Sequence, residues 1–109
     1  LQCSGGAGSL AADERCHGPA VLQSPPWLAH AAAPFLMYHG VTQGPSHGAI
    51  RVWGAKDVRG PWAWLAEVPL SSLWPELGPE GAYAARVTAR GNPALRAVEL
   101  HVEVVRPTL

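Results

Sequence analysis

At 109 residues, with no net charge and 15% charged side chains, the chain is one domain long enough to bury about two-thirds of its unfolded surface. It carries no basic or acidic patch of the kind that nucleic acid or an anionic membrane recruits, and no run of about 18 apolar residues that would span a bilayer. The expected partner is therefore a protein or a neighbouring domain rather than nucleic acid, and no membrane span is expected in this chain.

The sequence begins at Leu1 without an initiator Met, the form expected of a processed mature protein that has lost a signal peptide, or of an excised fragment. Residues 1–18 are rich in Gly and Ser, lack a hydrophobic period and hold both cysteines, Cys3 and Cys16. They read as an irregular arm tied by a Cys3–Cys16 bridge. In an oxidising compartment that bridge closes a loop and contributes roughly 3 kcal/mol, so the expected location is secreted, extracellular or periplasmic. Two free thiols in a cytosolic protein are the other reading. Residues 19–109 form the single folded domain.

Gly18 to Pro26 has a short apolar centre beside prolines, which suits a brief edge strand because proline cannot donate to a ladder. Trp27 to Ala33 has helix-forming composition, but Pro25, Pro26 and Pro34 limit it to one or two turns. Pro34 to Thr42 alternates Phe35, Met37, His39 and Val41 against Leu36, Tyr38, Gly40 and Thr42, a strand pattern. Ala49 to Lys56 follows with Ile50 and Val52 on one side and Arg51 and Trp53 on the other. Both faces must be partly covered, since an exposed Trp is costly. Trp62 to Leu70 reads as a strand with Trp62, Trp64, Ala66, Val68 and Leu70 on one face, and Pro69 places it at an edge.

Ser71 to Gly81 is a turn-rich corner with room for a short helical turn after Ser72. Ala82 to Arg90 then alternates Tyr83, Ala85, Val87 and Ala89 against Ala84, Arg86, Thr88 and Arg90, the pattern of a sheet with one wet face. A Gly91-Asn92-Pro93 turn leads into Leu95 to Val105. The slip of phase between Ala97 and Val98 marks a β-bulge or a late strand start. Short strands with regular turn signals and no long helix make the expected fold an all-β antiparallel β-sandwich of about seven strands.

Ser71-Ser72-Leu73-Trp74-Pro75-Glu76, followed by Gly81-Ala82-Tyr83-Ala84-Ala85, resembles the corner of immunoglobulin-like domains, where such a segment leads into a strand carrying Tyr and Cys. The resemblance covers roughly 15 residues, and Ala85 stands where that family has its second cysteine. It implies a disulfide-free immunoglobulin-like sandwich with Tyr83 as a structural tether across the corner, Leu73 and Val87 in the core, and Trp53 as the structural packing tryptophan. Polycystic-kidney-type modules and bacterial copper-carrier domains are similar in ending on a Gly-x-Tyr strand and a hairpin.

The sequence offers little for catalysis. There is no Gly-x-Ser-x-Gly nucleophile turn and no glycine-rich phosphate loop before a helix, and the acidic residues are scattered. No catalytic residue is assigned, and a non-enzymatic protein without a cofactor is expected. Met37 and His39 are two apart and share a strand face, and with His47 in the following turn they offer thioether and imidazole, a ligand set that suits copper. The same residues also read as plain core.

Of the five Trp residues, Trp53, Trp62 and Trp64 are expected to fill the core. Trp27 and Trp74 lie beside prolines in loops and are the candidate partner-binding residues. The expected function is a non-enzymatic extracellular interaction or structural module within a larger receptor, envelope or appendage assembly. The alternative is a periplasmic copper-binding β-sandwich.

Overall fold

The computed structural model of the chain describes residues 16–28, 33–41, 48–77 and 82–106. Within them run β1 (Cys16–Gln23), β2 (Phe35–Val41), β3 (Ala49–Ala55), β4 (Ala63–Pro69), a single helical turn α1 (Leu70–Leu73), a 3-10 turn (Pro75–Leu77), β5 (Tyr83–Asn92) and β6 (Ala97–Val105). The first four strands form an antiparallel meander in the order β1-β2-β3-β4, and β5 and β6 pair as an antiparallel hairpin. The all-β antiparallel expectation is what the chain adopts. β1 begins at Cys16, inside the stretch read as an irregular arm. Cys3, and with it the expected bridge, lies outside the described residues.

The period of two in β2 and β3 places alternate residues of each strand in different cores. Leu36, Tyr38 and Ile50 join Ala33, Leu70, Ala84 and Val87 in one buried cluster, onto which Val98, Val102 and Val104 of β6 pack. Met37 and Trp53 join Ala55 and Trp62 in a second cluster on the opposite face of the sheet. Both faces of the two central strands are therefore buried, which explains their nearly continuous apolar sequence.

β5 lies against β1 and β2, and the approach is closest at Gly40. A Cβ added to Gly40 would sit 2.2 Å from the carbonyl oxygen of Ala84. Glycine here lets one backbone touch another, and that contact sets the distance between the sheet and the hairpin. The β1–β2 connection is closed by Ser24, whose N–H donates to Pro34 O at 2.7 Å and whose hydroxyl donates to Ala33 O at 2.6 Å.

Two bulges change the expected faces. Val52 pairs with Ala66 and Trp53 with Trp64, so Leu65 is an extra residue on β4. The stripe expected on one face of β4 is thereby split: Trp62 and Trp64 meet the second cluster while Leu70 enters the first. The second bulge is at Ala85, because Ala84 pairs with Val104 and Arg86 with Glu103. It carries Ala84 inward, opposite to the face its alternation predicted, and leaves Val87 inward as expected. The phase slip read in the last strand resolves as a late start, with β6 beginning at Ala97.

Leu73, expected in the core by resemblance, is 48% exposed. The helical turn α1 has room to bury one apolar side chain, and Leu70 takes that place.

Candidate functional site

The second cluster holds the most polar chemistry in the interior. Met37 and His39 do share a face of β2, and both are fully buried. The Trp53 indole N–H donates to His39 Nε2 at 2.7 Å, with the two rings 6.1 Å apart and tilted by 21°. An indole N–H only donates, so Nε2 presents its lone pair and Nδ1 carries the proton. That proton is given to the Gly40 carbonyl at 2.8 Å. Both ring nitrogens are thus engaged by the fold, and a metal ion at Nε2 would have to displace the indole.

Beside this pair, His39 faces Arg51 across the β2–β3 ladder. Arg51 is buried, donates from Nε to Glu67 Oε1 at 3.0 Å, and lies 4.8 Å over the Trp64 ring. Trp64 in turn meets Trp53 edge to face at 5.8 Å. A chain of contacts therefore runs from Gly40 through His39, Trp53 and Trp64 to Arg51 and Glu67. Among the described residues no group of three or more His, Cys, Asp or Glu is placed to hold a metal ion. His47 lies outside the described residues.

Trp27 and Trp74 are both half-buried. Trp74 packs against the first core cluster, and its N–H closes α1 by donating to Leu70 O at 2.8 Å. The Trp27 ring lies against β5: a Cβ added to Gly91 would stand 3.3 Å from ring atoms of Trp27 and 3.2 Å from Pro25 Cγ. The Trp27 indole nitrogen is buried with no hydrogen-bond partner among the described residues. The structure does not bring the two tryptophans into one cluster: Trp27 braces the hairpin and Trp74 the corner. Tyr83 opens β5, half-buried and paired with Val105.

The outer face of the hairpin is a charge ladder. Arg86 stands opposite Glu103, Thr88 opposite His101 and Arg90 opposite Glu99, and the first two of these pairs, with Val102, line a shallow open groove. Arg90 Nε donates to Glu99 Oε2 at 2.9 Å, and Asn92 Nδ2 donates to Glu99 Oε1. The Asn92 hydrogen bond, then that of Arg90, hold the Glu99 carboxyl below its ordinary pKa. Opposite charges facing across the ladder neutralise one another, so this face offers no net field to a ligand.

Sequence reasoning did not single out Asn92, Leu95, Arg96 or Glu99. The one readable signal was Asn before Pro in the turn, since an Asn side chain readily caps the following backbone N–H groups. Compared with known proteins, the chain matches no family model, no curated protein and no solved structure. Among the described residues no helix is long and apolar enough to cross a membrane.

Proposed function

We propose that the chain is a non-enzymatic module that binds another protein in an extracellular or periplasmic setting, as part of a larger receptor, envelope or appendage assembly. The observation that carries this reading is the contrast between interior and surface. The interior imidazole is held by Trp53 and the buried guanidinium of Arg51 by Glu67, while Val58, Leu65, Leu73, Leu95 and Leu100 remain exposed. Isolated apolar side chains are common on any surface. Five among the described residues of a small chain with few charges favour contact with a partner. The test is to express the chain with its native flanking sequence and fractionate the host. Recovery in a complex from the extracellular or periplasmic fraction, with no reactive thiol, supports it. A free monomer in the cytosol with two reactive thiols overturns it.

The finer architecture we propose is immunoglobulin-like, on the strength of Ser71 to Ala85 with Val87 and Trp53 in the core. That family interleaves its strands between two sheets, whereas β1 to β4 here run consecutively. An experimental strand order that keeps this meander would withdraw the immunoglobulin kinship and leave the module reading in place.

Copper binding is the second reading, favoured by Met37 and His39 on one buried face. Adding Cu(I) or Cu(II) should raise the melting temperature if those ligands are used. An unchanged melt removes the copper reading.

A further inference from the structure

The end of the β5–β6 hairpin is held more firmly than a surface turn requires. Asn92 Oδ1 accepts from the backbone N–H of Ala94 at 3.1 Å and of Leu95 at 3.2 Å. The same side chain donates to Glu99, which is anchored in turn by Arg90. At the base of this end, Trp27 and Pro25 pack on Gly91. The braced turn points Leu95 into solvent, 70% exposed, more than any other large apolar residue among those described.

Arg96, the next residue, sits at φ 50. Glycine enters this left-handed region freely, and an L side chain enters it at a cost. The turn therefore gives no reason for arginine at this position. Unlike Arg51, Arg59 and Arg90, which pair with Glu67, Asp57 and Glu99, Arg96 has no ion-pair partner among the described residues. A strained, exposed and uncompensated cation beside an exposed leucine is a feature the fold itself does not use.

We propose that this hairpin end is the surface through which the module binds its partner, with Leu95 entering an apolar pocket of another protein and Arg96 pairing with carboxylates on the rim of that pocket. The proposal rests on the interaction-module reading above. A pre-braced tip loses little freedom on binding, so the contact energy of a single leucine is not spent on ordering the loop. The guanidinium matches a carboxylate in two-pronged geometry. A membrane fits less well: stable attachment takes a cluster of basic residues or a longer apolar anchor, and this chain has zero net charge.

The experiment pans a phage-displayed random-peptide library on the wild-type protein and measures the enriched peptides against Leu95→Ala, Arg96→Gly and Glu76→Ala. Enriched peptides should join an aromatic or aliphatic residue to Asp or Glu. Leu95→Ala and Arg96→Gly should each weaken binding by about tenfold or more, while Glu76→Ala, at an exposed residue of the 3-10 turn, leaves it unchanged. Arg96→Gly is the most informative variant. It should melt at or above the wild-type temperature because the strain is relieved, and still bind worse, a combination that a merely structural role for Arg96 does not give. Peptides that bind equally to all variants overturn the tip and leave the module reading standing. No enriched peptide at all overturns both. Binding to phosphatidylserine vesicles that is lost in Leu95→Ala assigns the tip to a membrane surface and overturns the protein partner.

Discussion

The indole N–H of Trp53 donates to Nε2 of His39 across 2.7 Å, inside a cluster where both rings are fully buried. The bond joins the two central strands through side chains as well as backbone. Trp53→Phe keeps an aromatic ring but removes the donor, leaving a buried acceptor unpaired at a cost of about 1–3 kcal/mol, with a further loss from the smaller ring. Urea unfolding should show the midpoint falling accordingly. An unchanged midpoint would mean that the pair contributes nothing.

The same bond fixes a tautomer. His39 should be neutral with its proton on Nδ1, donated to Gly40. Long-range nitrogen–proton NMR correlations distinguish this form from the Nε2–H tautomer, and finding the latter would contradict the hydrogen bond described.

Gly40 and Ala84 are in contact through backbone. Gly40→Ala would place a methyl carbon 2.2 Å from Ala84 O, so the hairpin must move away from the sheet, at a cost of about 1–3 kcal/mol or more. Because the nearest atom belongs to the main chain, adding Ala84→Gly should restore little of the lost stability. Full rescue by the double variant would show that side-chain crowding, not backbone approach, decides the spacing.

Glu99 links the hairpin's acid stability to its charge ladder. Its pKa is lowered in the folded state, so its contribution is present above the ordinary glutamate value of about 4.3. That contribution is lost as pH falls through the lower folded value. Glu99→Gln should flatten this acid limb in a series of urea midpoints against pH, and an unaltered limb would reassign it to other carboxylates.

Tyr38 gives the alkaline counterpart. Burial raises its pKa, since the phenolate cannot be solvated in the first core cluster. Stability should therefore hold below the ordinary tyrosine value of about 10 and decline above it, as the unfolded chain ionises first. Tyr38→Phe should remove that decline. Phenolate absorbance from Tyr38 appearing at its ordinary pKa in the folded protein would refute the burial argument.

The strands themselves were readable because alternation is local. The opposite placement of Met37 and Tyr38, or of Trp53 and Ile50, follows from a period of two and needs no partner strand. The same reading correctly placed Met37 beside His39 but left open whether they are ligands or core, because the Trp53 donor comes from a different strand. The hairpin tip was legible only as an Asn-Pro turn. The left-handed conformation of Arg96 arises from closing β5 onto β6, and arginine gives no hint of it.

What the amino-acid order determined by itself is the strand inventory and the two-faced character of β2 and β3, since both depend on residues a few positions apart. What only the tertiary structure decided is the pairing register. The bulges at Leu65 and Ala85 divide stripes that look continuous in sequence, and the contact of Gly40 with Ala84 sets where the hairpin lies. An extra residue in a strand is defined only against the partner it fails to pair with, and a glycine's role only by the backbone that approaches it.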